Sequence, residues 1–338
     1  MLRDVADAAG VHLATASRAL NEETRWRVSE ATAQRVIAAA EELGYLPNPI
    51  ARGLATSRSY TVGALIPDFT NPLFPPIMRG IQDGLEAAGY TALVTNTDND
   101  PDRALLGMRA MRARQVDGII SATARSDDPH LEELIEGGPE LVLVNRWLPG
   151  LPVSSVRADD TIGQRLAVEH LIELGHRRIA YLGAPLAYST GAERHDALRA
   201  AMDEAGIAVE SDLVAVGRDV NEAEGARLTR LVLDGGAQRP TAFAAANDLL
   251  ALGCLDVLAE RGIDCPGEVS VTGFGDVPFA PRFQPPLTTV RIPQYEMGAT
   301  GAQLMLERLG DPGSEPRHVT LEPKLVVRSS TAPLAAGA

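Results

Sequence analysis

Seven short apolar runs recur along the chain: TVGALI (61–66), TALVTN (91–96), DGIIS (117–121), LVLVN (141–145), RIAYLG (178–183), TAFAAA (241–246) and EVSVTGF (268–274). Amphipathic stretches with helical periodicity lie between them, such as FPPIMRGIQDGLEAAG (74–89) and TIGQRLAVEHLIELG (161–175). Apolar strands alternating with amphipathic helices predict parallel sheets covered by helices, that is, an α/β fold. There are enough such units for two doubly wound lobes. Ligands in such folds bind beyond the carboxyl ends of the strands, in the space between lobes.

The 338 residues allow two or three domains with separate cores. No run of about 18 apolar residues occurs, so no membrane-spanning helix is expected. The N-terminus lacks a basic segment followed by an apolar one and does not read as a signal peptide. Two cysteines, Cys254 and Cys265, are too few for a disulfide framework and fit a reducing cytosol. A cytoplasmic protein is therefore expected. The net charge is −14, yet residues 1–58 carry seven arginines and seven acids, so the whole acidic excess lies beyond them. Such acidity excludes a non-specific nucleic-acid coat but leaves room for a small neutral head that meets DNA by placement.

That head has a pattern of its own. Leu2, Val5, Ala6 and Ala9 form one helical stripe, which Gly10 ends. A second helix over about 12–20 turns Ala16, Ala19 and Leu20 inward and leaves Leu13, Ala14, Ser17 and Arg18 outward. Two short helices about a tight turn read as a helix-turn-helix. A third helix, capped by Ser29 and stopped at Gly44, is expected to bury Val36, Ile37, Ala40 and Leu43. Small side chains at Ala14, Thr15 and Ser17 allow close entry to a major groove, where an arginine reads guanine and an apolar contact reads a thymine methyl. A three-helix bundle with a solvated arginine fits the same periodicity, which leaves both readings open. Beyond it, Asn48 and Pro49 open a helix to about residue 55 that is too short to stand alone in water and exposes Ile50 and Leu54. It suits either a minor-groove wedge or a plain linker.

RDVADAAGVHLATASRALN (3–21), then ELGYLPNPIARGLATSRSYTVGALIPDFTNPLF (42–74), resemble the LacI/GalR family of bacterial transcriptional regulators. VDGII, HLIELGHRRIAYLG, PTAFAAAND, PPLTTVR and YEMG follow in family order, so the likeness covers about residues 2–330. It implies a helix-turn-helix head (1–47), a hinge helix and linker (48–59), and a periplasmic-binding-protein-like effector and dimerisation domain (60–330) with a tail (331–338). The lobes would be about 60–158 plus 292–321, and 161–288 plus 325–330. By the same resemblance, Leu13, Ala14 and Arg18 read bases and Thr15 and Ser17 hold phosphates. Leu54, flanked by Ala51 and Arg52, wedges the operator centre. Leu73 and Phe74 stack on an effector that Asn145, Arg146, Tyr188, Thr190, Arg194, Asn247 and Asp276 surround.

Departures from the family pattern carry expectations too. Met1 stands where a Thr or Ser cap is usual and His12 where a Ser cap is usual, while Ala16 and Ala19 replace Val, so a weakly stable head is expected. Gly275 replaces a carboxylate that often holds a sugar hydroxyl, and Ile292 replaces a polar residue of the same wall, so a sugar effector must find its polar contacts elsewhere. The tail SSTAPLAAGA has one leucine, Leu334, and cannot form a tetramerising heptad seam, so a homodimer is expected.

An enzyme or a cytoplasmic binding protein of the same fold is the alternative. No G-x-S-x-G elbow, P-loop or H-E-x-x-H occurs, and GFGDVP lacks the glycine that a dinucleotide loop needs. His170 and His176 read as structural, Arg177 and Arg178 as a solvated turn, and the tail after Ser329 as frayed. No catalytic residue, metal or cofactor is therefore expected. The partners expected are operator DNA and a small-molecule effector, with no membrane.

Overall fold

The computed structural model describes residues 1–21, 24–45, 58–130, 133, 138–235 and 238–334. The chain divides into two compact units, Met1–Tyr60 and Thr61–Ala338.

In the first unit, α1 (Leu2–Ala8), α2 (Leu13–Leu20) and α3 (Glu30–Glu42) pack around Val5, Ala6, Ala9, Ala16, Ala19, Ala33, Val36, Ala39 and Ala40. Most of those residues are alanine, so the unit buries little apolar area per residue and its stabilisation is correspondingly small. Ser29 caps α3 by accepting from the Thr32 amide, and Gly44 follows its end at φ +58°. That left-handed value costs glycine little. Leu43 does not join the core as the helical stripe predicts. It is half exposed, because it sits at the C-cap of a 13-residue helix whose two partners have only seven and eight residues. Ile37 is half-buried, and the inward line runs through Ala33, Val36, Ala39 and Ala40.

The second unit begins with β1 (Thr61–Ile66), α4 (Phe74–Glu86), β2 (Thr91–Asn96), α5 (Pro101–Ala113), β3 (Gly118–Ser121), β4 (Glu140–Val144) and β5 (Ser154–Ala158). It continues with α6 (Asp160–Glu173), β6 (Ile179–Gly183), α7 (Ser189–Glu204), β7 (Val214–Val216), α8 (Glu222–Gly235), β8 (Ala242–Ala245), α9 (Asp248–Glu260) and β9 (Ser270–Gly275). It ends with β10 (Thr288–Arg291), α10 (Gln294–Gly310), β11 (His318–Leu321) and β12 (Lys324–Val326). Two six-stranded sheets result, ordered β11-β5-β4-β3-β1-β2 and β12-β10-β9-β8-β6-β7. Every neighbouring pair is parallel except β10 and β12. The central strands β6, β8 and β9 are buried along their whole length, as near-continuous apolar sequences between two helical layers should be.

The chain passes between sheets three times: after β5 at Asp159, after β10 at Ile292–Pro293, and between β11 and β12 at Glu322–Pro323. The second passage starts only at Ile292, because Thr288–Arg291 is itself a strand of the second sheet. α4 and α10 meet across the first lobe with almost no space between backbones. A Cβ on Gly298 would lie 1.9 Å from the Ile77 carbonyl oxygen, and one on Gly80 would lie 2.1 Å from that of Tyr295.

The residues after Ser329 are not frayed. Ser330 is fully buried, exchanges hydrogen bonds with the Val271 backbone and accepts from the Thr288 amide. The His170 ring meets the Thr331 hydroxyl at 2.9 Å, and His176 Nε2 lies 3.1 Å from the Ala332 carbonyl oxygen. Burial lowers the pKa of both histidines, which favours the neutral rings these contacts use. The small hydroxyl side chains that make the tail look featureless are what satisfy backbone groups beside β9 and β10. Arg178 is not solvated either: its side chain is mostly covered and ion-pairs with Glu210 and Asp212.

Candidate nucleic-acid face and effector cleft

α2 carries the outward face expected of a recognition helix. Leu13, Ala14, Ser17 and Arg18 are exposed, Thr15 is half-buried, and Ala16 and Ala19 are fully buried against α1 and α3. His12 does cap the helix: its Nδ1 accepts from the Ala14 amide at 3.2 Å. α1, by contrast, has no side-chain cap. The far end of α2 is closed by the turn that follows, where Thr24 donates to the Arg18 carbonyl and Arg25 to that of Ala19. Both bonds satisfy carbonyls that a helix end leaves without partners. Ala51, Arg52 and Leu54 lie outside the described residues.

Most of the residues expected to meet an effector gather at the facing carboxyl ends of the two sheets, where ligands of α/β folds bind. A cleft is lined by Leu73, Phe74, Asn145, Arg146, Tyr188, Thr190, Arg194 and Asn247 together with Asn99, Asp248, Phe274, Gly275 and Ile292. Asn71 shapes the near wall: buried after β1, it accepts from the Leu73 amide and starts the turn into α4. Asn99 and Asn145 take left-handed backbone conformations, at φ +57° and +69°. Non-glycine residues in this region are uncommon and concentrate at functional sites.

Arg194 projects from α7 into the deepest polar cluster. It grips Asp160 at 2.7 Å through Nε and at 2.6 Å through Nη2, donates to the Ala246 carbonyl oxygen at 2.6 Å, and lies 3.6 Å from the centre of the Phe274 ring. It is therefore not a solvated surface arginine. Burial pushes the Asp160 carboxyl up to about 6, against the pull of Arg194 toward the charged form. Asn247 also has a structural duty: Oδ1 accepts from the Leu250 amide, capping α9, and Nδ2 donates to the Val220 carbonyl oxygen. Asp248 beside it accepts from the Thr289 hydroxyl at 2.5 Å and the Val277 amide at 2.8 Å, while burial raises its pKa to about 6.

Tyr188, at the N-cap of α7, is buried under two guanidinium groups, Arg146 at 3.6 Å and Arg125 at 5.3 Å from its ring centre. Arg146 donates from Nη2 to Asn99 Oδ1 at 2.8 Å. Trp147, next in sequence, turns away, donating from Nε1 to Glu193 and stacking on Arg157.

One expected effector residue does not reach the cleft. The Asp276 carboxylate is held by Arg291 at 2.6 Å and by Arg328 at 2.7 Å, and only its neighbours Gly275 and Val277 line the wall. Two arginines far along the chain neutralise it there, which position after a strand does not reveal. Sequence reasoning also passed over Asn99, Arg125 and Phe274. Asn99 stood in an Asn-Asp-Pro turn ahead of α5, the kind of site where asparagine adopts a left-handed backbone. Among the described residues, no group of three or more histidine, cysteine, aspartate or glutamate side chains is arranged to hold a metal ion, and no helix is long and apolar enough to cross a membrane.

Residues 1–48 match the family described as bacterial regulatory proteins, lacI family, and residues 168–331 match a periplasmic binding protein-like domain. The HTH-type transcriptional regulator DegA of Bacillus subtilis (strain 168) is 34% identical over 334 residues, covering 98% of each chain. A complex of the transcriptional regulator CelR with cellobiose superposes with a TM-score of 0.74 at 32% identity, covering 98% of this chain and 99% of that one. A lac repressor dimer bound to operator and the anti-inducer ONPF superposes with a TM-score of 0.86 at 26% identity, over 98% and 99% of the two chains.

Proposed function

Because the chain belongs to the lacI family of bacterial regulatory proteins and is, as such, a DNA-binding transcriptional regulator, we propose that it is a cytoplasmic repressor that binds a near-palindromic operator as a homodimer. A small molecule in the cleft controls it. The observation that carries this reading is the exposed face of α2, with Arg18 among side chains small enough for a groove. Leu13, Ala14 and Arg18 read base edges, Thr15 and Ser17 hold phosphates, and Leu54, between Ala51/Arg52 and the linker, wedges the central step. The lac repressor dimer on its operator supports this arrangement.

In the cleft, Leu73 and Phe74 form an apolar platform, with Thr190, Asn145, Arg146 and the backbone around Gly275 beside it. The three passages between sheets act as hinges. Closing the lobes on a ligand shifts the equilibrium only as far as its affinity differs between the open and closed forms, typically by about 1–3 kcal/mol of coupling.

Arg18→Ala tests the DNA reading. A bidentate contact to guanine contributes about 1–3 kcal/mol of discrimination, so the substitution should relax sequence preference at one base pair per half-site. Competition binding with operator variants measures this. A uniform loss over all sequences would make Arg18 a phosphate contact instead.

A further inference from the structure

Not every charge around the cleft has a partner of opposite sign. Arg194 has Asp160, Arg125 has Asp127, and Asp276 is held away from the cleft by Arg291 and Arg328. Asp248 is occupied by a hydroxyl and an amide. Arg146 alone on the wall has no carboxylate among the described residues that touch it. It is 4% exposed, stacked on Tyr188, and donates through Nη2 to the neutral Asn99 side chain. Its Nη1 is buried with no hydrogen-bond partner. Burial pulls this guanidinium down to about 10, Tyr188 opposing the shift and Arg125 and Arg194 adding to it, so at neutral pH it remains a buried cation. A buried cation lacking both a counter-ion and one of its hydrogen bonds is costly. Gly275, also on the cleft wall, at φ +129° supplies no side chain.

From this we infer that the effector carries an anionic group, a carboxylate or a phosphate ester, which the Arg146 guanidinium receives while Leu73, Phe74 and Thr190 hold an uncharged, sugar-sized body. The inference rests on the cleft being the effector site. A neutral hydroxyl could accept the free N–H but would leave the charge uncompensated. An anion does both, and such charge-assisted bonds are roughly twice as strong as neutral ones. The difference corresponds to about tenfold in affinity.

Matched pairs test the inference on the full chain by titration calorimetry and thermal shift at constant ionic strength: ribose with ribose 5-phosphate, glucose with gluconate and glucose 6-phosphate, and inorganic phosphate alone. At least one anionic member should bind about tenfold more tightly than its neutral partner. Arg146→Gln should erase that advantage and Arg146→Lys should keep part of it. The inference is overturned if neutral members bind as tightly, if no anionic probe binds, or if the advantage survives in Arg146→Gln. Should Arg146→Gln fail to fold, the comparison within pairs on the unaltered protein still decides. A neutral sugar whose binding weakens in Thr190→Val would remove the anion and keep the cleft. An anion whose binding is untouched by both Arg146→Gln and Thr190→Val would remove the cleft itself.

Discussion

Arg194→Ala is expected to destabilise the second unit by about 3–5 kcal/mol, before any effect on effector binding is considered. The reason is Asp160, 2% exposed, whose cation is Arg194. Removing the guanidinium strands a buried carboxylate, leaves the Ala246 carbonyl oxygen short of a donor, and opens a space over Phe274. Thermal or urea unfolding followed by circular dichroism measures the loss. The double variant Arg194→Met, Asp160→Leu should recover most of it, since apolar replacement of a whole buried pair is often neutral or stabilising. Equal stability of Arg194→Ala and the unaltered chain would mean that the pair carries no such role. A lost effector response in Arg194→Ala is meaningful only beside this stability measurement, because the same side chain braces α6, α7 and the end of β8.

Gly298→Ala is expected to cost the first lobe at least about 2 kcal/mol. Alanine is the better helix former by about 1 kcal/mol, so propensity alone predicts a gain. The new methyl would sit 1.9 Å from a backbone oxygen of α4, which no rotamer change can move, and forcing helices apart in a packed core typically costs 1–3 kcal/mol or more. Sterics outweigh propensity here. Gly310, at the end of the same helix, has nothing within 4 Å of where a Cβ would stand. Gly310→Ala should therefore be neutral or stabilising by up to about 1 kcal/mol. If the two substitutions had the same sign of effect, close approach would not explain the glycine at 298.

Much of the architecture was legible because its cause is local. Most of the seven apolar runs are strands buried on both faces, which demands continuous hydrophobicity that single-sequence reading detects, while β2 at the sheet edge is at most half-buried. The short strands β5, β7, β11 and β12, at or next to the sheet edges, carried no comparable signal: SSVRA and KLV mix polar with apolar residues, and only pairing partners distant in sequence make them strands. The exposed face of α2 followed from helical periodicity alone, whereas Leu43 escaped its stripe because periodicity says nothing about where the partner helices end. The cleft was legible as a set of strand ends. Its electrostatics were not. Which carboxylate neutralises which arginine depends on pairs such as Asp160–Arg194 and Asp276–Arg328, brought together by the fold from 34 and 52 positions apart. Asn247 illustrates the overlap, since the residue expected to meet a ligand is also the one that caps α9.

Sequence-specific DNA binding by the α2 face is the decisive measurement. The full chain would be used to select operators from a random double-stranded pool, and the selected sequences footprinted with the protein and with Arg18→Ala. Enrichment of a near-palindrome with two half-sites is expected, protected by the unaltered protein, with a loss of preference confined to one symmetric pair of positions in the variant. No enrichment over the starting pool, or an enriched sequence bound equally well by Arg18→Ala, would contradict this role of α2.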